Sequence, residues 1–180
     1  RESVLSDPDF LTILEIPNFL SNISNLLGHT NVELKNTTIA AVINLATTEP
    51  AQEIIVHKIN VVTQLNKILA EDDNVKGQVG AANALALLAR SPKKRTLMAK
   101  VPGLIDNLNK LLACGNDEGR YQAARTLANL ACTHENKALI VQVDGLLVNL
   151  NNLLKDGASN GKFVAAIALG NLAVFPENAA

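Results

Sequence analysis

Asn44, Asn129 and Asn171 each open the phrase Asn-Leu-Ala, and their side chains are the ones here best suited to chemistry with another chain. A carboxamide carries one acceptor oxygen and two N–H donors. It can hold both the N–H and the C=O of an extended peptide without reading that peptide's side chains. The chemistry expected is reversible hydrogen bonding rather than bond making. Around Asn129, the residues Glu118, Gln122, Arg125, Asn129 and Thr133 recur at steps of 4, 3, 4 and 4. That spacing draws one polar stripe along a helix whose other faces are apolar. The matching stripes are Glu33, Thr37, Ala40, Asn44 and Thr48; then Lys76, Gly80, Asn83, Leu87 and Ser91; then Asn160, Val164, Ile167, Asn171 and Phe175. The candidate contact set is Asn44, Asn83, Leu87, Gln122, Arg125, Asn129, Ile167 and Asn171, with Leu87 interrupting the asparagine ladder.

Bond-making chemistry finds little to work with. His29, His57 and His134 stand near helix ends in different parts of the chain, with no Cys or carboxylate at ligand spacing, and read as solvent-exposed. Cys114 and Cys132 form neither a CxxC nor a metal spacing and read as reduced intracellular thiols. Gly77 and Gly80 lie inside a helical pattern, so they are not a phosphate loop. No catalytic residue, cofactor or metal is expected, and the chain reads as non-enzymatic. Lys93-Lys94-Arg95 reads as a solvated face. Asn22-Ile23-Ser24 and Asn36-Thr37-Thr38 match the glycosylation sequon, but inside helical patterns, and are taken as chance.

The elements that position the stripes repeat. The leucine of Asn-Leu-Ala and its equivalent falls at 45, 88, 130 and 172, giving steps of 43, 42 and 42. Pro8, Pro50, Pro92 and Pro176 lie on a step of 42, with His134 in the missing slot. Ile16-Pro17, Ile59-Asn60, Val101-Pro102 and Val143-Asp144 mark the same period again. Each unit holds a short, a medium and a long helical pattern. Units run about 8–49, 50–91, 92–133 and 134–175 within one solenoid over 1–180, with partial units at 1–7 and 176–180. Asp7-Pro8 is an N-cap with proline at the first helical position. Second helices start at Pro17, Asn60 and Pro102, and Gly28, Cys114-Gly115 and Gly157 stop them. The third helix of the first unit runs from about Val32 to Thr47. A hydrophobic fraction of 48% supplies a continuous core. Aromatics are 3% with no Trp, so that core is Leu, Ile, Val and Ala. The net charge of −1 offers nothing to drive phosphate binding, so nucleic acid is not an expected partner. No apolar run is long enough for a membrane span.

A period near 42 with three helices per unit, Gly103 and Gly145 before the second helix, the pairs Ala81-Ala82, Ala123-Ala124 and Ala165-Ala166, and the Asn-Leu-Ala endings resemble the armadillo repeat family over essentially the whole chain. Thr38-Ile39 departs from the Ala pair. Within the family, the Glu-Asn-Lys and Ala-Leu-Gly-Asn-Leu-Ala-Val phrases are most similar to vacuolar-scaffold and plant-type members. The resemblance implies an all-α fold: a right-handed α-solenoid, or superhelix, of about four three-helix repeats, with the third helices lining a concave groove. It implies a cytoplasmic protein, with the nucleus as a second compartment. Its function would be that of a protein–protein interaction scaffold, with the asparagines on the backbone of an extended partner peptide. An alternative is the targeting region of a larger enzyme such as a U-box E3 ubiquitin ligase. An importin-α-type nuclear-transport adaptor is least favoured. That subfamily has Trp one turn before each groove Asn, where this chain has Ala40, Asn83, Arg125 and Ile167. Catenin grooves are strongly basic; here only Lys76 and Arg125 are. Residues 176–180, PENAA, copy the opening of a unit, so the chain reads as a fragment. Val164, Ile167, Val174 and Phe175 then leave an apolar fourth unit expected to self-associate or fray, with a hydrophobic pocket for a partner side chain at Val164 and Ile167 as the alternative.

Overall fold

A computed structural model describes residues 9–174, and all of its regular elements there are helices. They fall in four consecutive triplets. The first is α1 (Asp9–Glu15), α2 (Phe19–Leu27) and α3 (Val32–Leu45); the second is α4 (Glu49–His57), α5 (Ile59–Leu69) and α6 (Val75–Leu88). A 3-10 turn at Pro92–Lys94 and α7 (Arg95–Ala99) open the third, followed by α8 (Leu104–Cys114) and α9 (Asp117–Leu130). The fourth is α10 (His134–Val141), α11 (Leu146–Asp156) and α12 (Ser159–Ala173). The expectations placed on 1–8 and 175–180, including the Asp7-Pro8 cap, the partial units, Pro176 and Phe175, lie outside the described residues.

Third helices pack in a row, α3 on α6, α6 on α9 and α9 on α12; second helices form a parallel row, α2 on α5 on α8 on α11. The short helices stack at the remaining edge, α1 on α4 and α7 on α10. Between the rows runs one core of leucine, isoleucine, valine and alanine, from Leu14 to Leu172. No triplet can cover both of its faces alone, so stability is shared between each unit and its neighbours. Within that core Ala81, Ala82, Ala123, Ala124 and Ala165 are fully buried, which lets the third helices approach closely.

Local sequence sets the ends. Asn31, Asn74 and Asn116 accept the backbone N–H groups of Leu34, Gly77 and Gly119, capping α3, α6 and α9. Second helices begin two residues later than the prolines suggest. Asn18, Gly103 and Gly145 precede α2, α8 and α11 with φ of 64°, 74° and 74°, in the left-handed region that glycine and asparagine tolerate. Pro17 and Pro102 therefore sit in the turn, not in the helix. In the second triplet no such turn exists, and Lys58 ends α4 and starts α5 at once. Helix α3 stops at Leu45, before Thr47. The stops at Gly115 and Gly157 are extended, with φ of −71° and −70°, not left-handed. Glycine is required there sterically, because a Cβ would lie 2.5 Å from Leu111 O or Leu153 O.

The basic run opening the third triplet is solvated at Lys93, while Lys94 and Arg95 are half-buried. Lys93 pairs with Glu53 at 3.0 Å, and that hydrogen bond raises the lysine's pKa above its ordinary value. Arg95 Nε donates to Ala89 O at 2.8 Å. Gln52 and Asn136 do the same work elsewhere, donating to Ala46 O at 2.9 Å and Leu130 O at 3.0 Å. In each case a first-helix side chain covers a carbonyl at the end of the preceding third helix, which that helix leaves unpaired.

Candidate functional site on the third-helix row

The stripe residues share one face of the third-helix row, but not all of them face solvent. Asn44 and Ile167 are exposed, and Asn83, Leu87, Arg125, Asn129 and Asn171 are half-buried. Gln122 and Val164 are buried, at 5% and 7% exposure, and so is Ser91. Gln122, placed in the contact set from its spacing, therefore supports the face from beneath. Helix geometry explains the difference. Gly80, Gln122 and Val164 occupy one register position, which meets the preceding third helix. A Cβ at Gly80 would come within 2.9 Å of Ile39 Cγ2. Ile39 is the residue that replaces the second alanine of the pair. Large Ile39 is thus matched by Gly80, while the alanines Ala82 and Ala124 are followed, one unit on, by the larger Gln122 and Val164.

The asparagines are tied down on one side. Asn129 Nδ2 donates to Ala86 O at 2.9 Å, and Asn171 Nδ2 to Ala128 O at 3.0 Å. Both acceptors lie in the last turn of the preceding third helix, where carbonyls lack helical partners. Asn171 also reaches Cys132 Sγ at 3.4 Å. Each amide is thereby fixed across the seam between units; the Oδ1 of both, and the second N–H of Asn129, have no protein partner among the described residues. Beneath them, Thr126 Oγ1 donates to Ala82 O at 3.0 Å and to Gln122 O at 2.9 Å. Arg125 Nη1 donates to Asn83 Oδ1 at 3.4 Å and to Gln122 Oε1 at 3.2 Å, and Gln122 Nε2 donates to Glu118 Oε1 at 2.7 Å.

A second set of asparagines escapes a reading by stripes. On the second-helix row, Asn66 Nδ2 donates to Pro102 O at 2.9 Å, and Asn66 Oδ1 accepts from Asn107 Nδ2 at 3.0 Å. One unit later Asn109 Nδ2 donates to Asp144 O at 3.0 Å, and its Oδ1 accepts from Asn149 Nδ2 at 2.9 Å. The shared spacing of Asn66 with Asn109 and of Asn107 with Asn149 was a signal in the sequence. Its meaning depends on which units touch.

Other sites offer less. His29, His57 and His134 are exposed, as are the free thiols of Cys114 and Cys132. Among the described residues no three His, Cys, Asp or Glu side chains converge as a metal site, and no helix is long and apolar enough to cross a membrane. Among the described residues, four clefts of about 230–360 Å³ lie in the seams between units, and none of these four is lined by the exposed stripe.

The sequence matches no family model and no curated protein. Solved structures do match. An engineered protein from a structural genomics consortium superposes with a TM-score of 0.80 at 31% identity, over 89% of this chain and 64% of its own. A designed armadillo repeat protein in complex with the peptide (KR)4 gives 0.81 at 22% identity, over 90% of this chain and 67% of its own. Computationally designed armadillo repeat proteins for modular peptide recognition give 0.79 at 22% identity, over 92% and 68%. The chain thus spans about two thirds of the length of these structures, and at such identities the likeness is one of fold. Four helical triplets, three rows of stacked helices and these superpositions agree: the chain has the armadillo-repeat solenoid fold.

Proposed function

We propose that this chain is a non-catalytic scaffold that holds an extended segment of a partner protein along the third-helix row. The observation that carries the reading is the half-committed amide. Asn129 spends one N–H on the preceding helix and keeps an acceptor and a donor outward; Asn171, its Nδ2 bonded to Ala128 O and Cys132 Sγ, keeps its acceptor outward. A fixed amide loses little entropy on binding, which favours affinity. Neighbouring helices stand about 8–10 Å apart, so equivalent amides meet an extended peptide every two or three residues at about 3.4 Å each. Four helices then seat roughly ten residues. Solved relatives in fold are described as bound to a peptide or as built for peptide recognition, which supports the reading. The aromatic walls of the importin-α type are missing at Ala40, Asn83, Arg125 and Ile167.

The test is a pull-down with Asn129→Ala and Asn171→Ala combined. Each substitution also removes an inter-unit hydrogen bond worth about 1 kcal/mol, so unfolding must be measured beside binding. Thr126→Val is the control, because it loses a bond of the same kind from beneath the face. The amide variant is expected to stay folded and lose its partner, and Thr126→Val to lose stability but keep it. Undiminished recovery by a folded amide variant would remove the proposal.

The exposed end of the fourth triplet supports a second property. Phe163, at 68% exposure, and Ala166 are open, whereas Tyr121 and Ala124 one unit earlier are half-buried and buried. We propose self-association of two copies through this end. Sedimentation at rising concentration is expected to show it, with Phe163→Asp weakening it; a monomer throughout would count against it.

A further inference from the structure

We propose that the partner segment carries an aspartate or glutamate that docks on Arg125, with an apolar side chain two or three residues away against Ile167. This rests on the third-helix row being the binding face. Arg125 lies at the middle of α9, half-buried on that face. Its Nη1 is held by two neutral acceptors, Asn83 Oδ1 at 3.4 Å and Gln122 Oε1 at 3.2 Å. No carboxylate stands within 4.0 Å of it among the described residues. Lys35, Lys93 and Lys110, by contrast, pair with Glu71, Glu53 and Asp72.

The nearest acid on its own stripe is Glu118, two turns away and about 10 Å along the axis. Glu118 Oε1 already accepts from Gln122. The relay from Glu118 through Gln122 to Arg125 and Asn83 therefore orients the guanidinium without neutralising it. The remaining N–H groups, on Nε and Nη2, have no protein acceptor among the described residues. A planar fork fixed from behind, part-desolvated and uncompensated, fits a carboxylate in two-point geometry. A basic side chain at the same point would meet like charge. The preference is thus opposite to that of a (KR)4-type ligand.

The flanking register positions make the preference local. One unit earlier the position holds neutral Asn83; one unit later it holds Ile167, exposed at 40%. Helix spacing of about 8–10 Å separates Arg125 from Ile167, or two to three residues of extended peptide. The motif is an acidic and an apolar residue at that separation, whichever way the segment runs.

The experiment selects from a displayed random library of about ten-residue peptides on the folded chain. It is repeated on Arg125→Glu, on Arg125→Gln, which keeps an amide beside Asn83, and on the combined Asn129→Ala, Asn171→Ala variant. Wild type is expected to enrich Asp and Glu near an apolar residue, and Arg125→Glu to enrich Lys and Arg. An acidic peptide selected on wild type should bind Arg125→Gln roughly tenfold more weakly, the size expected of a part-buried charge-assisted pair. If peptides depend on Asn129 and Asn171 but carry the same acidic content on every Arg125 form, this inference falls and the binding face stands. If no selected peptide depends on Asn129 and Asn171, the binding face falls and this inference with it.

Discussion

Leu127→Ala is expected to lower the unfolding free energy by about 3–5 kcal/mol, the largest effect foreseen for a single side chain here. Leu127 lies in α9, fully buried, with a unit packed on each side of its helix. Truncation removes the transfer energy of the lost carbons and leaves a cavity between rigid rows that cannot close on it. The same position one unit later is Leu169, which is only half-buried. Leu169→Ala is therefore expected to cost clearly less, about 1–2 kcal/mol at the ordinary rate for buried apolar area. Urea unfolding of both variants decides the matter. Equal losses would mean that position along the stack does not govern the energy, contrary to a nearest-neighbour account of the array.

Asn66→Ala comes second, at about 2–4 kcal/mol. Asn66 is 6% exposed and joins two units through both ends of its amide. Alanine strands Pro102 O and takes from Asn107 Nδ2 its side-chain acceptor, leaving it the longer bond to the residue-66 carbonyl at 3.4 Å; an unsatisfied group in this part-buried seam costs about 1–3 kcal/mol, less any water that enters. A merely exposed asparagine such as Asn152 should cost under about 0.5 kcal/mol. The specific claim is coupling. In a double-mutant cycle, Asn66→Ala and Asn107→Ala should interact by about 1 kcal/mol, as residues in one hydrogen-bond network do. Additive losses would show that each asparagine acts alone and that the pair does not lock the seam.

Much of the fold was legible because its signals are local. A proline or a capping asparagine acts within one turn, and an apolar stripe of period 3.6 is a property of a single helix. The recurrence of these marks every 42 or 43 residues was enough to give the stack of three-helix units. The accessible face was legible for the same reason, since Asn44, Asn129 and Asn171 and the steps around Arg125 lie on one helix face. The starts of α2 and α8 were misplaced by two residues because Pro17 and Pro102 fit a first helical turn equally well. The left-handed residues that follow them are what put both prolines in the turn.

What the sequence determined by itself, then, was the three-helix unit, its period and the stripe of mostly polar residues along each long helix. The tertiary structure alone decided what lies across each seam. Gln122 and Val164 look like surface residues by spacing, and become buried because that register position meets the preceding helix. Gly80 reads as a weak point in α6 until Ile39 is found against it. Asn66 and Asn107 stand 41 residues apart in sequence and bond directly in space. Periodicity specifies a direction around one helix axis, whereas a partner is fixed by the spacing and offset of two axes. Those follow from how the buried alanines and leucines of successive units pack, and a single helix pattern does not contain them.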